Sequence, residues 1–552
     1  MPIAATRNDH AASASAPRSS TRTIILSALP GILLTVICLF PFLNKAFTID
    51  DQTFLLEARQ ILKTPLHPLS FPICYGDDQC VKQAGNMGAN AREGLMGYVL
   101  VPVILMHAAE WLAHSIQIVL ACLAVLAMVQ LAQRLTFSSV QAAIAGMLIA
   151  AIPPFLSMAN TAMPDILALT LALTSIERLA AWKDERRWHQ AVAAGIALGL
   201  APYARPHVAL LLPLGALWLF DDFRLRKALT QFRQQTKLWT PILLGFLVLF
   251  AVNFATRVQN TGLEPKQMLV GPENIVRNLI SYLHYLAFPI PFAAVWLSIH
   301  WRRSRIFLVL PAILVGIVFG MLTSSMTFVV GLQIIAVLGG LVSLIDLLWS
   351  SLSAGDRIGI LLTFWTLMPL PAIIYLHLPL KYLLAVSPAI VLLVIRTLAS
   401  VRQTRALLVY GAVILACSGY SLLLLEADAD FAESGRRAAA ELIAPRVAAG
   451  EKVWFSGQWG FYWYAQEAGA KITRPDEPGP YSGEFLVVGL MEGGDMALKR
   501  FPNRELIESR GYNSPRGRTM GYGAGLYSNG YGILPWRWNP SALNVYEVWR
   551  IR

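Results

Sequence analysis

The chain has 552 residues, 56% of them hydrophobic and only 14% charged. A soluble protein carries about 25% charged residues, so composition excludes an ordinary soluble fold and points to a polytopic membrane protein. The net charge of +12 does not imply nucleic acid, because the cations fall in short clusters between apolar runs, at 183–187, 224–227, 302–305 and 396–405. Such clusters orient spans by the positive-inside rule.

In chain order, residues 1–22 are rich in Ala, Ser and Arg, which predicts a disordered tail, and Arg7, Arg18 and Arg22 place it on the cytoplasmic side. An apolar run over 23–43 predicts the first crossing. The loop 44–114 follows, opening with FTIDDQTFLLEARQ and its adjacent carboxylates Asp50 and Asp51. It also holds Cys74 and Cys80 in FPICYGDDQC, a disulfide if the loop is extracytoplasmic and two free thiols otherwise. Cys38, Cys122 and Cys417 lie in apolar runs and read as packing residues. The run 95–113 is apolar, but His107, Glu110 and His114 suit an interface. Read as a juxtamembrane helix, it leaves the later basic clusters on the cytoplasmic side.

Further spans are expected at 115–134, 138–157, 163–181, 189–204, 205–220, 239–256, 282–300, 305–322, 326–349, 357–377, 380–397 and 404–425. That gives a mainly α, polytopic bundle of about 13 spans over 23–425, with the N-terminus inside and the C-terminus outside. The loop 44–114, the turn 157–165 and the loop 257–278 then share the outer face. From residue 426 to 552 the composition becomes that of a soluble protein. FAESGRRAAAELIAPRV and FYWYAQEAG read as helices, and KVWFSG, EFLVVGLM and VYEVWRI as strands. This predicts a small extracytoplasmic α/β domain. The Gly/Tyr-rich stretch GYGAGLYSNGYG, 521–532, reads first as a flexible surface loop and second as a binding loop.

Carboxylates at a membrane face need solvent, a partner or a function. Asp50, Asp51 and Asp165 stand at the outer ends of early spans, where they either cap helices or converge on an anionic cleft. Arg205 in APYARPHV and Lys381–Tyr382 in LPLKYLLAV are out of place under the positive-inside rule, which implies an anionic partner. Arg92, Lys82 and Arg257 add cations on the same face, and Glu264 a further acid. Together these residues suit a lipid phosphate beside a carboxylate.

IDDQTFLLEARQIL after the first span, AMPDILALTLALTSIERLAAW, AGIALGLAPYARPHVALLLPLGAL, KYLLAVSPAIVLLVIRTL and WGFYWYAQEAGAKI resemble, in order and spacing, the GT-C superfamily of integral membrane glycosyltransferases. The nearest resemblance is to the family of protein O-mannosyltransferases and lipid A aminoarabinose transferases. It implies a sugar donor on polyprenyl phosphate and a transfer centre on the extracytoplasmic face. The family's presumed base matches Asp50, and the acid opening the span after the second outer loop matches Asp165. Asp51 stands where Glu is common, and the stretch NAREGLMGYVLVP, 90–102, lacks the Pro-Pro segment of the lipid A enzymes.

The chemistry expected is inverting transfer of a sugar to an extracytoplasmic lipid, glycan or protein, with Asp50 as general base. Asp51 or Asp165 would orient the acceptor. Arg205, Lys381, Tyr382 and Arg92 would hold the donor phosphate. The acids fit either metal-free transfer or a divalent cation held by Asp50 and Asp165; no other cofactor is expected. The basic loops fit a bacterial inner membrane. A flippase of lipid-linked sugars and a non-catalytic envelope-assembly protein are the alternatives. A flippase predicts internal repeats and broken midplane helices.

Overall fold

The computed structural model describes residues 20–74, 80–81, 84, 94–256, 272–287, 328–375, 377–399 and 403–552. The first crossing is α1, Thr21–Leu39, opened by Ser20, whose hydroxyl accepts the Thr23 amide at 3.2 Å. Its Leu26, Leu33 and Ile37 face outward, as lipid-facing residues do. The next helix, α2 (Asp51–Lys63), is amphipathic: Phe54, Leu55, Ala58 and Ile61 are buried while Lys63 is exposed. It packs on α3, Leu95–Leu105. Eleven residues rise about 16 Å, roughly half of the bilayer core, so α3 does not cross.

The second crossing is α4, Glu110–Arg134. After a capping box of Ser138 and Gln141, α5 (Ser139–Ala151) bends by 62° into α6, Pro153–Ala159. Ile152 is extended and two prolines follow, so the helical hydrogen bonds cannot continue through the joint. The bend carries the turn 160–164 toward the start of α2. Three helices follow: α7 (Asp165–Glu185), α8 (Trp188–Ala204) and α9 (Leu211–Leu219), the last preceded by a 3-10 turn, Pro206–Leu210. A short basic helix, α10 (Leu225–Gln234), leads to α11, Thr240–Ala255. α8 and α11 approach until a Cβ on Gly199 would lie 2.6 Å from the Gly245 carbonyl oxygen, the close packing that small residues permit between membrane helices. Beyond α12 (Pro272–Ala287) lie the helices Phe328–Ala354, Arg357–Leu367, Ser387–Leu398 and Gln403–Ala438.

Among the described residues six helical stretches are long and apolar enough to cross a bilayer, or seven if α5 and α6 form one bent span. The chain is therefore a multi-pass membrane protein. Expected spans at 189–204 and 205–220 are present as helices too short to count alone, and the one expected at 305–322 lies outside the described residues.

The helix Gln403–Ala438 runs unbroken through the expected boundary at 426. Beyond it lies a five-stranded mixed sheet. Its strands are β3 (Val453–Ser456), β4 (Lys471–Ile472), β5 (Phe485–Gly489), β6 (Arg504–Tyr512) and β9 (Asn544–Ile551). β3 is parallel to both β4 and β5, while β9 is antiparallel to β5 and β6. The helix Trp459–Glu467 connects β3 to β4. Earlier in the chain, β1 (Ile73–Cys74) and β2 (Cys80–Val81) pair across a Cys74–Cys80 disulfide.

The Gly/Tyr stretch corrects the expectation of a flexible surface loop. β7 (Met520–Gly521) and β8 (Ala524–Gly525) form a small hairpin, and Ala524, Leu526, Tyr527 and Asn529 are buried. Met520, Leu526 and Tyr527 belong to the core of the helical bundle. Glycine here permits backbone approach: a Cβ on Gly525 would lie 2.2 Å from the Gly532 carbonyl oxygen, and one on Gly532 would lie 2.0 Å from the Gly523 backbone.

Candidate active site

The loop between α1 and α2 sets the site. Asp50 is the last residue before α2, and its carboxylate makes no capping bond to the helix. It turns instead to Lys381, whose Nζ donates to Asp50 Oδ2 at 3.0 Å. Lys381 is buried in the 3-10 segment Leu380–Val386, where its ammonium also meets Met163 Sδ at 3.6 Å. A quarter of the Asp50 side chain remains exposed. Burial works against its charge. The Lys381 ammonium, reinforced by Arg205, outweighs that and holds the carboxyl below its usual range.

Asp51 faces the other way. Its Oδ2 accepts the Thr48 amide at 2.9 Å and its Oδ1 the Ala162 amide at 2.8 Å. It is fully buried, and burial pushes its carboxyl up to about 7 against the pull of Lys45 and the two amides. Its geometry ties the start of α2 to the turn after α6. Asp165, at the first position of α7, gives both oxygens to Arg205: Nε to Oδ1 at 3.0 Å and NH2 to Oδ2 at 2.6 Å. Both side chains are buried. A buried guanidinium with a bidentate carboxylate is well satisfied, and Arg205 also lies 5.9 Å from the Phe54 ring of α2.

Tyr382 stands among rings. Its centroid is 4.7 Å from His207, 6.3 Å from Tyr375 and 6.3 Å from His377. His377 occupies the turn before Lys381, where burial and then the Lys381 charge push the imidazole down to about 4, leaving it neutral at physiological pH. Arg92, Lys82, Arg257 and Glu264 lie outside the described residues. Among the described residues no three His, Cys, Asp or Glu side chains gather as metal ligands, and Arg205 holds both oxygens of Asp165.

The structure thus brings Asp50 to Lys381 and Asp165 to Arg205, with the Arg205 charge felt at Asp50. Sequence reading missed a second set of residues. Lys45 Nζ donates to Asp428 Oδ2 at 2.5 Å and to the Asn160 carbonyl at 2.8 Å. Thr519 and Tyr527 hydroxyls donate to the same Asp428 carboxylate, at 3.1 and 2.7 Å. One buried node therefore joins the exit of α1, the turn after α6, the helix Gln403–Ala438 and the hairpin segment. The signal available was a lone Lys after an apolar run in FPFLNKAF and three closely spaced acids, Glu426, Asp428 and Asp430, in LLLLEADADF. A charge in either place calls for a partner.

Residues 100–255 match the family model described as dolichyl-phosphate-mannose-protein mannosyltransferase. No curated protein matches the chain in sequence. Among solved structures, ArnT from Cupriavidus metallidurans bound to undecaprenyl phosphate aligns at 13% identity with a TM-score of 0.42, covering 90% of this chain and 97% of that one. The same protein in its apo state aligns at 12% identity and a TM-score of 0.39, covering 88% and 96%. The arabinofuranosyltransferase AftD from Mycobacteria aligns at 13% identity and a TM-score of 0.42, covering 97% of this chain and 42% of that one. The family match runs from α3 through α11 and includes Asp165 and Arg205, so over these residues the likeness to GT-C membrane glycosyltransferases, first carried by the sequence motifs, stands.

Proposed function

We propose that the protein transfers a sugar from a polyprenyl-phosphate donor to a hydroxyl of an extracytoplasmic lipid, glycan or protein, with inversion at the anomeric carbon. The single observation that carries this reading is the Asp50–Lys381 pair, a partly exposed carboxylate beside a buried ammonium. The matched family's name supports the donor class, since its members are described as using a sugar carried on dolichyl phosphate. The Cys74–Cys80 disulfide, in the loop that follows α2, fits an oxidising compartment and hence the outer face of a bacterial inner membrane.

Inverting transfer makes one bond and breaks one. The acceptor oxygen attacks the anomeric carbon, the bond from that carbon to the phosphate oxygen breaks, and the acceptor proton passes to Asp50. The polyprenyl phosphate departs carrying the extra negative charge. In this reading Lys381, the partner of Asp50, neutralises it, and the paired Arg205 adds a second positive charge. An incoming donor phosphate competes with Asp50 for the same ammonium. As Lys381 turns to the phosphate, the carboxylate loses the charge that depressed its pKa and becomes a stronger base. Donor binding and base activation are thereby one event. Tyr382, the residue after Lys381, adds a ring face beside His207 and His377.

Purified protein given a labelled polyprenyl-phosphate sugar and acceptor tests the proposal. Wild-type protein releases polyprenyl phosphate and labels the acceptor. Asp50→Asn lowers turnover by about 10²–10⁴-fold, the usual worth of a general base, at unchanged membrane expression. Near-wild-type transfer by Asp50→Asn removes it as base; labelled lipid crossing a vesicle bilayer without sugar transfer points to a flippase instead.

A further inference from the structure

Directly before Asp50 the backbone is strained. Ile49 has φ of 43°, a conformation that β-branched residues rarely adopt. A second strained residue faces it from the far end of the chain: Trp459, the first residue of the helix after β3, has φ of 60°. Bulky residues persist in this region only where their surroundings over-determine them, and such positions cluster at functional sites.

The surroundings can be named. Gln52 is fully buried on the first turn of α2. Its amide end faces two carbonyl oxygens, which assigns the nitrogen rather than the oxygen to that side; so assigned, it donates to the Ile49 carbonyl and, at 3.2 Å, to the Trp459 carbonyl. One carboxamide therefore bridges both strained residues. The next residue, Gly460, sits against the Phe47 carbonyl so closely that no Cβ fits between them. Tyr464, one helical turn on, accepts the Phe47 amide at 2.8 Å. Two further backbone groups of the turn are tied, the Thr48 amide to Asp51 and the Asp50 carbonyl to the Thr53 amide.

We infer that Gln52 is a positioning residue which, by pinning the Ile49 and Trp459 carbonyls together, uses the start of the C-terminal helix Trp459–Glu467 to hold Asp50 in its catalytic direction. This rests on Asp50 as the base. Gln52 does not reach the reacting atoms. Its two donors hold a backbone that relaxes toward ordinary φ once released, and that relaxation swings the Asp50 side chain away from Lys381. A core glutamine with a purely structural role would instead lower stability and leave turnover per folded molecule unchanged.

The test uses the full chain in lipid nanodiscs, measuring kcat, donor KM and thermal melting together. Gln52→Met keeps the volume and removes both donors. It is expected to lower kcat by about 10²-fold, the scale of a roughly 1 Å misplacement, with donor KM within about twofold. Gln52→Glu sets a carboxylate against two carbonyls; its neutral form restores one donor. Its turnover relative to wild type should therefore recover in part as pH is lowered from about 8 to about 6, a response that a structural glutamine does not give. Gly460→Ala, which forces the helix start off Phe47, should show the same loss of kcat at nearly constant KM. Wild-type kcat in Gln52→Met, with Asp50→Asn inactive, overturns the positioning role and leaves the base standing. A kcat per folded molecule that is unchanged while melting falls assigns Gln52 to structure alone. Full activity in Asp50→Asn sinks the base reading itself and takes this inference with it.

Discussion

At the scale of single residues, two neighbouring aspartates divide the work. Asp50 and Asp51 differ by one position, yet the first turns to Lys381 and the second into backbone amides. The dipeptide was legible as a candidate because two acids directly after a crossing need a reason. The preference for Asp50 came from the family resemblance; the local residues carry no mark of it, because which acid meets Lys381 depends on the positive φ of Ile49, and nothing local in FTIDDQ demands that conformation. Lys381→Met follows from the same geometry. The ammonium depresses the Asp50 pKa, so its removal raises that pKa. On the proposed reading, in which Asp50 is the base and must be ionised, the acidic limb of the kcat/KM profile is expected to move to higher pH. Donor KM should rise about 10–100-fold, as for a lost charge-assisted contact. Steady-state kinetics across pH measure both, and an unmoved limb would separate Lys381 from Asp50.

At the scale of elements, buried pairing replaces capping. Sequence alone offered helix capping as the plain explanation for Asp165, yet its side chain is spent on Arg205, forty residues later at the end of α8. Only the packing of α7 on α8 supplies that partner. Asp165→Asn strands a buried guanidinium and is expected to cost about 3–5 kcal/mol. Asp165→Leu combined with Arg205→Met should recover most of that stability, since an apolar replacement of a whole pair is nearly neutral. Thermal melts of the three proteins decide it, and an equally unstable double variant would rule out the stranded charge as the cause. The C-terminal strands divide in the same way. β3, β5 and β9 were legible from their apolar and β-branched runs. β6, reading RELIESRGY, is mostly exposed at the sheet edge and lacks the pattern, while β4 is only two residues long.

At the scale of the whole molecule, the C-terminal segment is built into the bundle. Asp428 gathers Lys45, Thr519 and Tyr527, and the hairpin they hold lies in the helical core. Tyr527→Phe removes one hydrogen bond to a charged group and is expected to cost about 1.5–3 kcal/mol. The loss should appear in thermal melting and as faster proteolysis within 519–532; protection equal to wild type would show that the node does not anchor the hairpin. What the sequence by itself determined was the class of molecule: apolar runs of spanning length and basic clusters between them follow from composition and local pattern, because the bilayer imposes them residue by residue, and the acids after the first crossing stand out against that pattern. What only the tertiary structure decided was pairing. Lys381 meets Asp50 across 331 positions, Lys45 meets Asp428 across 383, and the 521–532 stretch is buried where its glycines suggested a loose loop. Such contacts arise from the packing of distant helices, and a charge carries no local mark of which distant partner will neutralise it.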